Sequence, residues 1–397
     1  MIANAVQYYL RAYKGLSREI WLLALVNLIN RCGTMVIPFL MLYLTSQLGC
    51  SISQAGVVMS LWGIGAFIGS YFGGRLTDSI GFYKIQLLSL FFGGVGFIIL
   101  GQLANYYAIC IFTFLLAMVN EAFRPANSAA MGRFSTEENR MRSFTLMRLS
   151  FNLGWAVGAG LGGFIAHHSY RLLFWIDGIT NILAAIMLWY LLPDKYTKEI
   201  KEKVKDSTQR VSVFADKVFV QFILVSVIYL SCFVQLFTNL PVFFKKDLHL
   251  EENLIGYLAS WNGILIVLIE MTVIYWVERN WSKRRAILLG VSFHVAAYLF
   301  ASLFHLNFLG AFMMMTMITL SEMFAFSVLV NFWMSRTDDT NRGQYAAIWT
   351  MVWAFSQTVG PFLGSVTAQH AGFKILWLGI AALSTIATLF YAKIIKN

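Results

Sequence analysis

Several acidic and basic side chains lie inside long apolar stretches of the sequence, where such groups can bind or move a proton. Glu121 and Arg124 stand three residues apart, so on a helix they share one face and can neutralise each other. Glu322 has no cation nearby in the sequence, and desolvation disfavours the charged form of such a carboxyl, which suits a proton carrier. We therefore predict that proton coupling uses Glu322, Glu121, Arg124 and Glu270, although Glu270 could instead bind cations of the adjacent loop.

Arg31 is a further cation within an apolar stretch, and it needs an anionic partner. We expect it either to bind the anionic part of a substrate or to pair with Glu121. Asn27 and Asn30, on the same stretch, are further candidates for binding the substrate. Most of the aromatic residues should face lipid or its interfaces. A few amphipathic side chains are candidates for lining a substrate cavity: Trp62, Trp261, Trp349, Trp353 and Gln357.

The composition indicates that a bilayer surrounds these groups. The 397 residues are 58% hydrophobic and 12% charged, with a mean hydropathy of +0.67, whereas soluble chains carry about 25% charged residues. The four cysteines form no CxxC pair, and the histidines show no metal-ligand spacing. There is no phosphate-binding loop of the Walker type. We therefore predict no metal and no cofactor.

Stretches of membrane-spanning length, about 20 residues, occur twelve times, as two sets of six with a charged linker between them. The predicted architecture is an all-α membrane protein of two pseudo-symmetric six-helix bundles, with domains at 1–192 and 218–397 and a cytoplasmic linker at 193–217. The predicted spans are 21–44, 54–74, 85–103, 106–130, 143–166, 171–192, 218–241, 254–277, 286–304, 307–334, 343–368 and 374–395.

The distribution of lysine and arginine predicts the orientation. Most of these residues fall in the termini, the linker and the loops on the same side, which places both termini in the cytoplasm. The opposite loops hold only Arg171, Lys245, Lys246 and Lys374. The net charge of +11 is thus a topology signal and does not indicate nucleic-acid binding. Asp177, just inside the outer face, can pair with Arg171 only if the loop folds back.

The chain also matches itself. At a shift of 200 residues the segment from Gly56 aligns with the segment from Gly256, and at a shift of 202 WAVGAGLGG aligns with QTVGPFLGS. Glu121 aligns with Glu322 near the same shift. Because each half has six spans, the two copies share one orientation. Such a parallel repeat is typical of a transporter whose site lies between the halves.

Two motifs resemble those of the major facilitator superfamily. The loop from Gly74 to Lys84 reads GRLTDSIGFYK and resembles the signature GxLxDRxGRRK, with Ser79 in place of the arginine. Glycine lets two helices approach closely, and Asp78 can meet the positive end of a neighbouring helix. The resemblance implies a gating role for this loop and its repeat in the second half: Gly74, Asp78, Gly81, Lys84, Glu278 and Arg284.

The fifth span reads GWAVGAGLGG and resembles the GxxxGPxxGG motif of the drug:proton antiporter branch, with Ala159 in place of proline. Small residues at this spacing let membrane helices pack closely. The predicted packing positions are Gly154, Gly158, Gly162, Gly163, Gly360 and Pro361.

Proton-coupled oligopeptide transporters are a second relative to weigh. They carry ExxER in the first span, where this chain has Asn27 and Asn30 before Arg31, so the arginine matches and both acids are missing. Arg124 and Pro125 stand where that family has Lys-Pro, and Glu322 matches its acid in the tenth span. The missing acids make peptide import the alternative to export.

These features together predict a proton-coupled secondary transporter that exports a small organic solute by alternating access. The alternative is a proton-coupled importer of peptides or similar solutes, and the remote alternative is an integral membrane enzyme, for which no catalytic constellation occurs at one membrane face. The expected partners are the solute, protons and the lipid bilayer. We expect a functional monomer in the plasma membrane, with the bacterial inner membrane as the expected location.

Overall fold

The computed structural model describes residues 15–136, 138–192, 213–337 and 342–395, and they form an all-helical protein. Two short 3₁₀ turns lie at Val213–Ala215 and Val234–Phe237. The α-helices in chain order are α1 Arg18–Cys32, α2 Val36–Ser46, α3 Ile52–Ile80, α4 Phe82–Leu100, α5 Tyr106–Glu121, α6 Phe123–Phe134, α7 Arg140–His168, α8 Tyr170–Leu191, α9 Lys217–Phe233, α10 Asn239–Lys246, α11 Glu252–Asn280, α12 Lys283–Leu303, α13 Phe308–Met334 and α14 Arg342–Ile394.

The twelve predicted spans all fall on these helices. Within the described residues, eleven helical stretches are long and apolar enough to cross a membrane. The last of them holds two spans, because Gly372 takes a φ of 82° and interrupts α14. Two predicted spans are each built from two consecutive helices, α1 with α2 and α5 with α6, and the predicted span 218–241 runs from α9 through a 3₁₀ turn into α10. The all-α membrane fold is therefore confirmed. Of the predicted linker 193–217, residues 193–212 lie outside the described part of the chain.

Several helices begin at a residue whose side chain accepts a hydrogen bond from the first turn. Asn105 accepts from the amide of Ala108 at 3.1 Å, and Asn307 accepts from Gly310 at 3.0 Å. Each cap of this kind contributes about 1 kcal/mol, since the first amides of a helix have no partner within it. Polar residues thus mark where the apolar helices start.

Contacts divide the chain into two compact units. Unit 1 comprises Met1–Val36 and Gly65–Lys203, and unit 2 comprises Ile37–Ile64 and Val204–Asn397. One hydrophobic core in unit 1 is built from α1, α4, α6, α7 and α8, and one in unit 2 from α9, α11, α12, α13 and α14. The predicted domains end near 193–217, and unit 2 additionally contains Ile37–Ile64. The boundaries 1–192 and 218–397 therefore stay a prediction about the sequence repeat.

Glycines let neighbouring helices touch at their backbones in both units. A Cβ at Gly158 of α7 would lie 2.9 Å from the carbonyl oxygens of Arg31 and Cys32 on α1. A Cβ at Gly360 of α14 would lie 2.7 Å from the carbonyl oxygen of Ser231 on α9. Larger residues would force these helices apart, so the repeat seen in the sequence also appears as equivalent packing. Further predicted packing positions are buried on the same helices: Gly154, Gly162, Gly163 and Pro361.

A bidentate ion pair joins three helix ends of unit 2. The Arg336 guanidinium donates from Nε and Nη2 to the Asp216 carboxylate, each at 2.7 Å, and the Tyr345 hydroxyl donates to the same carboxylate at 3.1 Å. Burial disfavours the charged carboxylate, but the donors of Arg336, the Phe219 amide and Tyr345 outweigh it and lower the Asp216 pKa. The hydrogen bond to Asp216 raises the pKa of Arg336. This contact connects the start of α9 with the end of α13.

Candidate functional site

The first predicted span is interrupted within its apolar stretch. Helix α1 ends at Cys32 and the next helical residue is Val36, so Gly33, Thr34 and Met35 lie outside helical structure. The Asp177 carboxylate of α8 is fully buried and accepts a hydrogen bond from the Val36 amide at 3.1 Å. A carboxylate at a helix N-terminus satisfies otherwise unpaired amides and interacts favourably with the helix dipole.

This role for Asp177 corrects the pairing with Arg171 considered from the sequence. Both residues lie on one continuous helix, Tyr170–Leu191, so no loop folds back between them. Arg171 is exposed, whereas Asp177 is buried and directed at the interruption in the first span. The sequence therefore does not predict that Asp177 caps the helix that begins at Val36.

A chain of amide side chains extends from Asp177. Asn181 donates to the Asp177 carboxylate at 3.0 Å, and Asn30 donates to the Asn181 side-chain oxygen at 2.7 Å. Asn27 donates to the carbonyl of Met147 at 3.5 Å. These buried amides are used to hold α1 against α7 and α8, so a substrate role for Asn27 and Asn30 stays a prediction.

Arg31 occupies the last turn of α1, directly before the interruption. Its guanidinium carbon lies 4.7 Å from the centre of the Phe151 ring, and its Nε is buried without a hydrogen-bond partner. Among the described residues no carboxylate oxygen lies within 4.0 Å of it. Glu121 instead pairs with Arg124 at 3.1 Å, as the sequence spacing predicts. Glu121 and Asp177 nevertheless attract Arg31 electrostatically, so the choice between an external anion and Glu121 stays a prediction.

Unit 2 contains a corresponding interruption. Helix α9 ends at Phe233, a 3₁₀ turn follows, and α10 begins at Asn239. Side-chain amides replace the carboxylate here: Gln235 donates to the carbonyl of Gly360 at 2.7 Å and accepts from Asn239 at 2.6 Å. The first span of each sequence half is thus discontinuous. Paired discontinuous helices at equivalent positions of a repeat mark the binding site in many transporters.

Proline was the available signal for both interruptions. The chain has five prolines, and Pro38 and Pro241 are each the third residue of the helix that follows the interruption. Proline is tolerated in the first turn of a helix and disfavoured farther in, because it has no amide hydrogen and clashes with the preceding turn. Proline therefore gives local support for both interruptions, although Pro361 lies inside α14 without interrupting it.

Glu322 lies on α13 and is half-buried. Its Oε2 accepts a hydrogen bond from Asn262 of α11 at 3.1 Å, and Asn262 also donates to Thr319 at 3.1 Å. A neighbouring helix therefore supplies a neutral polar partner that the sequence does not indicate. Glu270, on α11, is buried at 6% exposure. The roles of both carboxyls in proton coupling stay predictions.

The predicted cavity aromatics have structural contacts within unit 2. Trp261 donates to the Thr316 hydroxyl at 3.0 Å, Trp349 stacks on Phe222, and Trp353 lies against Phe233. The remaining two candidates lie on α3 and α14: Trp62 is 7% exposed, and the Gln357 carbonyl oxygen would be 2.8 Å from a Cβ at Gly63. Their substrate roles remain predictions.

The predicted gating loop, Gly74–Lys84, is almost entirely helical: Gly74–Ile80 end α3, Phe82–Lys84 begin α4, and only Gly81 lies between the two helices. Gly81 has a φ of 95°, a conformation that favours glycine. A Cβ at Gly74 would lie 3.9 Å from the Cβ of Pro125, which is an ordinary van der Waals contact. The close approach predicted for Gly74 occurs at Gly73, where a Cβ would lie 2.6 Å from Ala122. Asp78 and Lys84 are exposed, and Asp78 has no ion pair with a described residue. The Glu278 side chain lies outside the described part of the structure, and Arg284 is half-buried.

Comparison with known proteins gives concordant results. A family model described as Major Facilitator Superfamily matches residues 23–339. The multidrug resistance protein MdtH of Salmonella newport (strain SL254) is 24% identical over 257 residues, which cover 63% of this chain and 60% of MdtH. The chain thus spans less than two thirds of the length of this relative.

Solved structures share the fold across nearly the whole chain. A POT family transporter in complex with 5-aminolevulinic acid has a TM-score of 0.82 at 15% identity, covering 96% of this chain and 98% of that one. The nucleoside transporter NupG has a TM-score of 0.76 at 13% identity, covering 96% and 100%. At these identities the likeness concerns the fold alone.

Proposed function

Because the chain belongs to the Major Facilitator Superfamily, we propose that it is a proton-coupled secondary transporter that exports a small organic solute by alternating access. The observation that carries the proposal is the interruption of the first span in both sequence halves, at Gly33–Met35 and at Val234–Thr238. Backbone polar groups without helical partners are tolerated at membrane depth only where protein buries them or a cavity solvates them.

Arg31 supplies the recognition chemistry in this proposal. Its guanidinium lies beside the interruption, one nitrogen of it is buried without a hydrogen bond, and Glu121 and Asp177 attract it without forming an ion pair with it. A bound solute with an anionic or strongly polar group would provide the missing acceptor. Glu121 and Arg124 form a neighbouring pair whose charge balance depends on protonation of Glu121. Resemblance to the drug:proton antiporter branch and to MdtH supports export over import.

Import of peptides or similar solutes is the second candidate. It is favoured by Arg31, by Arg124 followed by Pro125, and by Glu322, which match positions of the oligopeptide transporters. It is disfavoured by Asn27 and Asn30, which replace the two acids of that motif and are bonded within unit 1. We place the protein in the plasma membrane, the bacterial inner membrane in particular, as a functional monomer with both termini in the cytoplasm.

A transport assay in proteoliposomes tests the proposal. Purified protein is reconstituted in a known orientation, a pH gradient is imposed, and movement of cationic drugs, peptides and anionic metabolites is followed by counterflow. We expect at least one solute to move against its gradient toward the outer face as protons move inward. Accumulation only in the opposite direction would instead establish import. Release of a chemically altered solute, or movement unaffected by pH, would contradict proton-coupled transport.

Replacing Arg31 with alanine should abolish this transport while the protein remains inserted and monodisperse. The substitution removes the guanidinium and its contact with the Phe151 ring, whereas the hydrogen bonds of Asn30 and Asp177 that hold the first span remain, so we expect the protein to stay folded. Arg31→Lys should retain part of the activity, since an ammonium keeps the charge without the planar donor fork. Counterflow and size-exclusion profiles measure the two properties separately. Normal transport by Arg31→Ala would exclude a substrate role.

A further inference from the structure

Unit 2 contains a cavity that is separate from the residues discussed above. It has a volume of about 220 Å³ and lies among α11, the start of α12 and α13. Its walls are apolar, including Ile274, Val277, Phe324 and Val328, and its polar lining residues are Lys283 and Asn331. Sites that enclose a drug-sized ligand usually measure about 300–1,000 Å³. This slot is better matched to part of one flexible hydrocarbon chain.

The polar edge of the cavity carries a concentrated positive charge. Helix α12 begins with Lys283, Arg284 and Arg285 after the cap residue Ser282, and it has no acid in its first turn. A helix N-terminus is itself positive, so cations in this position are unfavourable unless an anion is nearby. The Nε of Arg284 is buried and lacks a hydrogen-bond partner. Arg336, at the end of α13, is already neutralised by Asp216.

We propose that this cavity binds an anionic phospholipid. The phosphate would lie between Lys283 and Asn331, and one acyl chain would enter the slot formed by Ile274, Val277, Phe324 and Val328. Basic pockets between membrane helices at the cytoplasmic surface bind anionic headgroups in this way. The choice of lipid leaflet rests on the proposed orientation, in which this end of α12 faces the cytoplasm. The cavity contains none of the residues proposed for solute or proton binding, so the lipid is a bound effector and is not transported.

Lipid retention tests the proposal directly. Purified protein is equilibrated in vesicles of phosphatidylcholine and phosphatidylglycerol, extracted in mild detergent, and examined by native mass spectrometry for bound lipid. We expect one phosphatidylglycerol to remain per protein, in preference to phosphatidylcholine. Lys283→Ala should reduce this retention by about fivefold, because one surface cation contributes that order of affinity for anionic lipid. Lys283→Arg should preserve it and show that the fold is intact.

Two matched pairs of variants separate a built site from general surface attraction. Arg285→Ala removes the same charge from the same turn at a residue that does not line the cavity, and it should change retention little. Ile274→Phe fills the slot with the cations intact and should lose the lipid, whereas Leu268→Phe, at an exposed position of the same helix outside the cavity, should not.

The proposal is overturned by equal losses in Lys283→Ala and Arg285→Ala, by undiminished binding in Ile274→Phe, or by equal retention of the two phospholipids. Displacement of the lipid by a transported solute would also overturn it, because the slot would then belong to the transport path. The measured quantity is bound lipid, so a failure of the lipid proposal can be distinguished from a failure of the transport proposal.

Discussion

Replacing Glu322 with glutamine is expected to stop solute movement driven by a pH gradient and to leave solute exchange intact. Glutamine has the size of glutamate and keeps an oxygen that can accept the hydrogen bond from Asn262, but it cannot take up and release a proton. Exchange of solute for solute needs no net proton movement, so it should survive. Both activities are measured side by side in proteoliposomes of the same preparation.

Glu121 provides the matched control, because it aligns with Glu322 in the sequence repeat. Glu121→Gln removes the partner of Arg124 at 3.1 Å and should impair both activities. The Arg124 side chain is 46% exposed, so solvent can still hydrate it and the loss of stability should be small. Gradient-driven transport that persists in Glu322→Gln would remove this residue as the proton carrier. Glu121 and Glu270 would then be the remaining candidates.

Asp177→Ala is expected to cause the largest loss of stability of any single substitution considered. The carboxylate is fully buried and accepts hydrogen bonds from the Val36 amide and from Asn181. Its removal leaves the Val36 amide unsatisfied and takes one acceptor from Asn181, whose side chain still donates to the Asp177 carbonyl oxygen at 2.8 Å. A buried group left unsatisfied costs about 1–3 kcal/mol. The midpoint of thermal unfolding in detergent, followed by size-exclusion fluorescence, should fall strongly. Asp177→Asn, which keeps one acceptor oxygen, should fall less.

Arg171→Ala is the control on the same helix, because Arg171 is exposed and lies near the helix start. It should unfold at the wild-type temperature. An unchanged midpoint in Asp177→Ala would mean that the interruption in the first span is stabilised by other groups, and the capping role would then be wrong.

The number and approximate positions of the spans could be predicted from the sequence. Every backbone polar group in lipid must be bonded within a helix, so spanning segments have a narrow range of lengths and an apolar composition that is easily read. The pairing of Glu121 with Arg124 could also be predicted from the sequence, since it depends only on helical spacing. Equivalent glycine packing at Gly158 and Gly360 was anticipated from the repeat.

The interruptions of the first spans, and the side chains that bond to them, could not be predicted as readily from the sequence. Hydropathy averaged over a whole span is insensitive to a few non-helical residues, such as Gly33–Met35, when the flanking residues are apolar. The capping contact joins Val36 to Asp177 across 141 residues of sequence, and no local rule specifies such a pair. The hydrogen bond from Asn262 to Glu322 also spans two helices. Only Pro38 and Pro241 gave local evidence, through the restriction that proline places on helix interiors.

The interrupted first span also constrains how the chain enters the membrane during synthesis. Helix α1 has 15 residues and α2 has 11, which correspond to about 22 Å and 16 Å. Neither crosses a hydrocarbon core of about 30 Å alone, so the two must insert together. The Val36 amide then reaches the bilayer before Asp177 has been translated. Until the sixth span emerges from the ribosome, the nascent first span therefore needs water, lipid headgroups or an insertase to solvate it.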